Sequence, residues 1–118
     1  MVLFDLTTHL LEQAMIGASR RQSALSANLA NANTPGYVRQ DVDFQDALAG
    51  AVDSGGDVSR LVFEPTADRG AGPVRADGNT VDIDTEMASI NQNSLHYQSI
   101  VAVQRARFRE LEVVVKGV

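Results

Sequence analysis

Apolar residues recur every three to four positions at both ends of the chain and lose that rhythm between them. Phe4, Leu11, Ala14, Ala18, Leu25, Leu29 and Ala32 step by three, four or seven, the spacing of one helix face. Asp5, Thr7 or Thr8 can supply an N-cap oxygen for this helix. Its seam is rich in alanine and carries Gly17, so a partner helix can approach closely. The C-terminal pattern is stronger. Ile83, Met87, Ile90, Ser94, Tyr97, Val101, Gln104, Phe108, Leu111 and Val115 alternate steps of four and three. Eight of these ten positions are apolar, which is a coiled-coil pattern. Asp82, Asp84 and Glu86 stand at the predicted helix start, and Arg105, Arg107, Arg109 and Lys116 toward its end. Both placements complement the helix macrodipole. From Asp82 to Lys116 such a helix spans about 52 Å at 1.5 Å per residue, too long to bury in a globule of this size.

Residues 35–81 hold all three prolines and seven of the nine glycines. "AVDSGGDVSR" is turn-rich and predicted to be mobile. "RLVFEP" reads as a short strand ended by Pro65. Asp77-Gly78, flanked by Pro73-Val74-Arg75 and Thr80-Val81, carries a hairpin signal. So long a stretch without periodicity suggests a segment that orders only against something else. The chain therefore divides into a helix over 1–34, a loop and hairpin segment over 35–81, partly disordered when free, and a coiled-coil helix over 82–118. The fold class is mainly α, with a short β-hairpin in a flexible middle segment.

Charge follows the same division: net zero over 1–34, −4 over 35–81 and −1 over 82–118. The overall −5 and the absence of a basic run argue against nucleic acid and anionic membrane surfaces. The chain contains no cysteine, which excludes disulfides and thiolate metal sites. Its opening residues lack the basic start and apolar block of a cleavable signal peptide, and no apolar run approaches the ~18 residues of a membrane span.

No catalytic, cofactor-binding or metal constellation emerges. His9 and His96 each stand alone in a predicted helix. The stretch from Asp77 resembles a calcium loop but has Asp82 where glycine is required and Ala88 where glutamate is required. "RGAGP" lacks the strand-to-helix frame of a phosphate loop. Asp41 and Asp43 lie in a polar loop, where solvation is the default. Arg109 has Glu112 three residues on, within helical pairing distance, with Arg105 and Glu110 nearby. The other reading of this basic face is contact with an acidic neighbouring subunit.

The stretch "NLANANTPGY", Asn28 to Tyr37, ends the first helix. Thr34 precedes proline and is driven out of the helical region. Pro35-Gly36 forms a type II turn, with glycine at positive φ. Asn33 suits the helix C-terminus. A helix end does not need Asn28, Asn31 or Tyr37, and these three point to a second role. "SALSANLANANTPGY", Ser23 to Tyr37, resembles the N-terminal signature shared by the axial proteins of the bacterial flagellum. "RQDVDFQDAL", Arg39 to Leu48, and "DGNTVDIDTEMASINQNSLHYQ", Asp77 to Gln98, resemble the proximal rod subunits within that family, one of the two sister subunits more than the other. Residues 50–72 carry no such likeness.

The resemblance implies a structural subunit of the flagellar basal-body rod, not an enzyme and without cofactors. It implies that the two terminal helices pair antiparallel, in coiled-coil fashion, as the inner part of a tube that transmits torque. It implies self-association and contact with other rod subunits and with the junction of export gate and membrane ring. No membrane insertion is expected, and export through the flagellar type III apparatus to the periplasm proceeds without signal cleavage. The expected assembly residues are Asn28, Asn31, Asn33, Pro35, Gly36 and Tyr37 at the corner. On the C-terminal seam they are Met87, Ile90, Tyr97, Val101, Phe108 and Leu111. The competing reading is a soluble helical-hairpin binding module, such as an export adaptor or chaperone, marked by a stably folded monomer with a fixed middle segment.

Overall fold

A computed structural model describes residues 2–70 and 72–117, with side chains from Leu6 onward. The elements in chain order are α1 (Val2–Ala30), β1 (Gln40–Asp41), α2 (Phe44–Asp53), a 3₁₀ turn (Val58–Arg60), β2 (Thr66–Ala67) and α3 (Ile83–Lys116). Helix α1 starts at Val2, so Thr7 and Thr8 lie inside it and are not caps. The side chains of Phe4 and Asp5 lie outside the described residues. Helix α3 starts where the sequence predicts: the Asp82 carboxylate accepts from Thr85 N at 3.2 Å. It ends at Gly117, whose φ of 68° is left-handed.

The long helices lie side by side and antiparallel, with Ala18 opposite Asn93 and Asn28 opposite Glu86. The molecule measures 64 × 29 × 16 Å, a flat ribbon padded along part of one side. The α3 stripe against α1 differs from the predicted seam. Its most buried residues are Glu86, Asn93 and Ile100, each next in sequence to the predicted Met87, Ser94 and Val101. Met87 and Phe108 stay 51% and 57% exposed, while Glu86 is 1% exposed. The reason is polar pairing. Asn93 Nδ2 donates to Ala18 O at 2.8 Å and to Gln22 Oε1 at 2.9 Å, and Glu86 meets Asn28 and Arg39. A buried hydrogen-bonded polar residue fixes helix register, and here it rotates the apolar stripe partly out of the contact.

The sequence pattern predicts only loop and hairpin over 35–81, yet a ten-residue helix, α2, forms there. Asp43 caps it, accepting from Asp46 N. Phe44, Ala47, Leu48 and Ala51 then follow the helical i, i+3, i+4, i+7 spacing and turn inward. Phe44 fits against Gly17. A Cβ at position 17 would lie 2.6 Å from the Phe44 Cγ. The small seam residue thus admits a ring from α2 where the sequence suggests a helix approach. Phe63 closes the cluster edge-on, its ring centroid 6.3 Å from that of Phe44.

The strands also differ from the prediction. "RLVFEP" forms no strand. The small antiparallel sheet pairs Gln40 with Ala67 and Asp41 with Thr66. Asp77-Gly78 does turn, with Gly78 at φ 84° and its N–H on Arg75 O at 2.9 Å. Arg75 N also donates to Asn79 O across the turn at 3.0 Å, and beyond that the second arm turns to the corner, Thr80 N donating to Tyr37 O at 3.0 Å. "AVDSGGDVSR", predicted mobile, contains the end of α2 and the 3₁₀ turn, where Val58 is buried.

Candidate assembly interface

The corner after α1 is a built structure. The helix unwinds through Ala32 N to Leu29 O at 3.2 Å and Thr34 N to Asn31 O at 3.0 Å. Its terminal carbonyls, which lack partners within the helix, are satisfied from elsewhere in the chain. Asn31 Nδ2 donates back to Ala27 O at 2.8 Å. Asn79 Nδ2 donates to Asn31 O at 2.9 Å and Thr34 O at 2.8 Å, and Arg75 donates to Ala32 O. Asn31, Asn79 and Arg75 thus do the capping that the sequence assigns to Asn33, which is exposed and keeps a negative φ. Pro35-Gly36 turns as predicted: Tyr37 N reaches Thr34 O at 3.2 Å, and Gly36 has φ 73°. The two turns meet back to back. Gly36 N donates to Asp77 O at 2.8 Å, and a Cβ on Gly78 would lie 3.3 Å from Gly36 Cα.

Asn28 is the hub of this corner and is wholly buried. Its Nδ2 donates to Gln40 O at 2.7 Å and Glu86 Oε2 at 3.2 Å. Its Oδ1 accepts from Gln40 N at 2.8 Å and from the Tyr37 hydroxyl at 3.2 Å. Both amide protons and both lone pairs are therefore used. Asn28 and Tyr37 exceed what a helix end needs because they tie α1 to the chain beyond the corner and to α3.

Beside Asn28 lies an ion network whose centre, Arg39 with Glu86, is buried. Arg39 Nε meets Glu86 Oε1 at 2.5 Å and Arg39 Nη1 meets Asp68 Oδ2 at 2.6 Å. Arg21 meets Asp41 at 2.8 Å. Burial works against the Arg39 charge, but the hydrogen bond and attraction of Glu86, then Asp68 and Asp41, outweigh it and hold its pKa above the ordinary value. Burial likewise opposes the Asp41 charge. The hydrogen bonds from Arg21 and Val42 N, with the two arginine charges, prevail and lower its pKa. Asp41 is thus an ion-pair member, not a solvated loop carboxylate. Glu86 is a buried partner of Arg39 more than a macrodipole complement. Arg39, Asn79, Glu86 and Asn93 escape sequence reasoning because hydrophobic periodicity treats them as surface. Their positions follow from chain segments distant in sequence.

The expected assembly residues therefore fall into two groups. Asn28 is internal, and Asn31 and Tyr37 are half-buried. Asn33, Thr34, Pro35 and Gly36 form an exposed knuckle. On α3, Met87, Tyr97 and Phe108 are exposed, while Ile90, Val101 and Leu111 are partly covered. The knuckle and Met87 lie at one end of the ribbon. Phe108 and Leu111 lie toward the other, with Phe108 about 31 Å along α3 from Met87. Arg105 and Arg109 are exposed and have no ion pair among the described residues, and Glu112 pairs with Lys116. His96, one of the two histidines, packs against Phe44 with centroids 5.9 Å apart. Among the described residues no helix is long and apolar enough to cross a membrane.

Comparison with known proteins agrees with this architecture. A family model described as "Flagella basal body rod protein" matches residues 10–37, which end at the corner tyrosine. The chain is 31% identical to the flagellar basal body rod protein FlgB of Bacillus subtilis, over 99% of this chain and 98% of the relative. It is 34% identical to FlgB of Escherichia coli, over 80% of this chain and 81% of the relative. With FlgB of Salmonella typhimurium the identity is 32%, over 96% and 95%.

Proposed function

The chain belongs to the FlgB family of flagellar basal body rod proteins, and we propose that its two-helix ribbon is the part that carries torque through the rod. It is a structural subunit of the basal body rod and assembles with other rod components. In the proposed arrangement α1 and α3 face the inside of the tube. The Asn33–Gly36 knuckle and the α3 stripe of Met87, Ile90, Tyr97, Val101, Phe108 and Leu111 meet neighbouring subunits. Asn28, Asn31 and Tyr37 hold the corner in the shape those contacts need. The subunit reaches the periplasm through the type III export apparatus without signal cleavage and joins the rod near the export gate and membrane ring.

The observation that carries this reading is the exposure of large apolar side chains along one side of the ribbon, Ile16, Met87, Tyr97 and Phe108 among them. Monomeric proteins rarely expose contiguous apolar surface on this scale, and where they do it marks an interaction site. The test is basal-body isolation from a strain lacking the gene, complemented with the natural chain or with Phe108→Asp. The natural chain restores complete rods and Phe108→Asp does not. Complete rods in the uncomplemented strain would overturn the reading in favour of an accessory binding module.

A further inference from the structure

The two sides of the helix ribbon are chemically unlike. His96 and Tyr97, about 100° apart on α3, straddle its contact with α1. His96 faces α2, with Gln45 Nε2 3.1 Å from its ring. Tyr97 faces the other way, over a shallow groove lined by Met15, Ile16, Ser19 and Arg20. Phe108 lies eleven residues beyond Tyr97 and so within about 20° of it on the helix wheel, which continues this bare side. Arg20, Arg105 and Arg109 border it, all exposed and without an ion pair among the described residues. The bare side is thus apolar with a basic rim.

The padded side has the opposite character. The outer face of α2 shows Ala49, Gly50 and Val52 to solvent, and nothing lies within 4 Å of a Cβ built on Gly50. Asp43 and Asp46 stand at one end of this small apolar face and Asp53 at the other. None of the three has an ion pair among the described residues. The hydrogen bond and charge of Asp43 raise the pKa of Asp46, the signature of like charges that a cation would relieve.

We propose that the bare side of one copy docks on the outer face of α2 of a second copy. Phe108 lies over Ala49, Gly50 and Val52, and Arg105 and Arg109 on either side of it meet Asp46 and Asp53. Charge complementarity selects this occupant: a chain of net charge −5 repels its own copies unless patches of opposite sign meet. The two surfaces lie on opposite sides of one molecule, so the contact is heterologous and propagates instead of closing into a dimer. The inference rests on the rod reading and specifies which faces of successive copies meet.

A charge-reversal cycle in the flagellated cell tests it. The gene is replaced by versions carrying Arg105→Glu with Arg109→Glu, Asp46→Lys with Asp53→Lys, or all four changes. All four side chains involved are exposed, and circular dichroism of each purified chain checks that helicity is kept. Each pair alone collapses the swim ring to that of the deletion strain, and the fourfold variant regains most of it. Normal swimming by either pair, or no recovery by the fourfold variant, overturns the docking. Normal swimming by the deletion strain would instead overturn the rod reading beneath it.

Discussion

At the corner end of the ribbon, Asn28 uses all of its hydrogen-bonding capacity and Arg39 sits among three carboxylates. At the far end, α1 and α3 run on with no other element against them among the described residues, and Phe108 and Val115 are 57% and 84% exposed. The first region is finished within the chain. Its polar groups are paired, so a change there leaves an orphan inside. The second is unfinished, and its apolar groups gain a partner only when another surface arrives. Stability of the single chain and competence for assembly are thereby separated along one helix pair.

The largest effect on the single chain follows from breaking the finished end. Arg39→Met leaves Glu86 buried with only the Asn28 amide for a partner. Removing one member of a buried ion pair costs about 3–5 kcal/mol. Urea unfolding of the purified variant shows this loss, and Arg39→Met with Glu86→Leu regains part of it. Full stability in the single mutant would mean that the network does not hold the corner.

Gly17→Ala comes next and sets two effects against each other. Alanine favours a helix interior by about 1 kcal/mol. Its methyl group would overlap the Phe44 ring, and overpacking of this kind costs about 1–3 kcal/mol. The net result is a less stable chain whose α2 protects its amides less in hydrogen exchange. A stabilised variant would show that α2 yields freely.

Acid separates the two ends more gently. The Asp41 pKa is depressed in the folded chain, so its contribution is present above the ordinary carboxylate value of about 3.9. It is lost as pH falls from there through the lowered folded value. Asp41→Asn removes this part of the acid sensitivity. Identical pH profiles for variant and parent between about pH 5 and 2 would rule out Asp41 as a contributor.

The smallest effect on the single chain sharpens the contrast most. Phe108→Asp changes an exposed position and shifts unfolding by no more than about 0.5 kcal/mol, yet it abolishes rod formation. Leu111→Asp, at a half-buried position three residues on, lowers both. Equal loss of monomer stability in the two variants would place Phe108 inside the helix contact.

Hydrophobic periodicity and turn chemistry are local, and what they determine is local. The two long helices, the start of the second at Asp82 and the Pro35-Gly36 turn could all be read from the chain. Each follows from side chains within a turn or two of one another. The "SALSANLANANTPGY" stretch likewise carries the family's mark within consecutive residues. Helix α2 was readable from Asp43 and the spacing of Phe44, Ala47, Leu48 and Ala51, a signal masked by the glycines after it. Tertiary structure alone decided which face of α3 meets α1. The apolar count favoured the stripe through Met87, Val101 and Phe108. The contact instead took Glu86, Asn93 and Ile100, because Glu86 and Asn93 bond across the interface to Asn28, Arg39 and Ala18, which are about fifty to seventy-five residues away in sequence. No local rule can price a side chain whose partner is that distant. The displaced apolar stripe is therefore left for a neighbour.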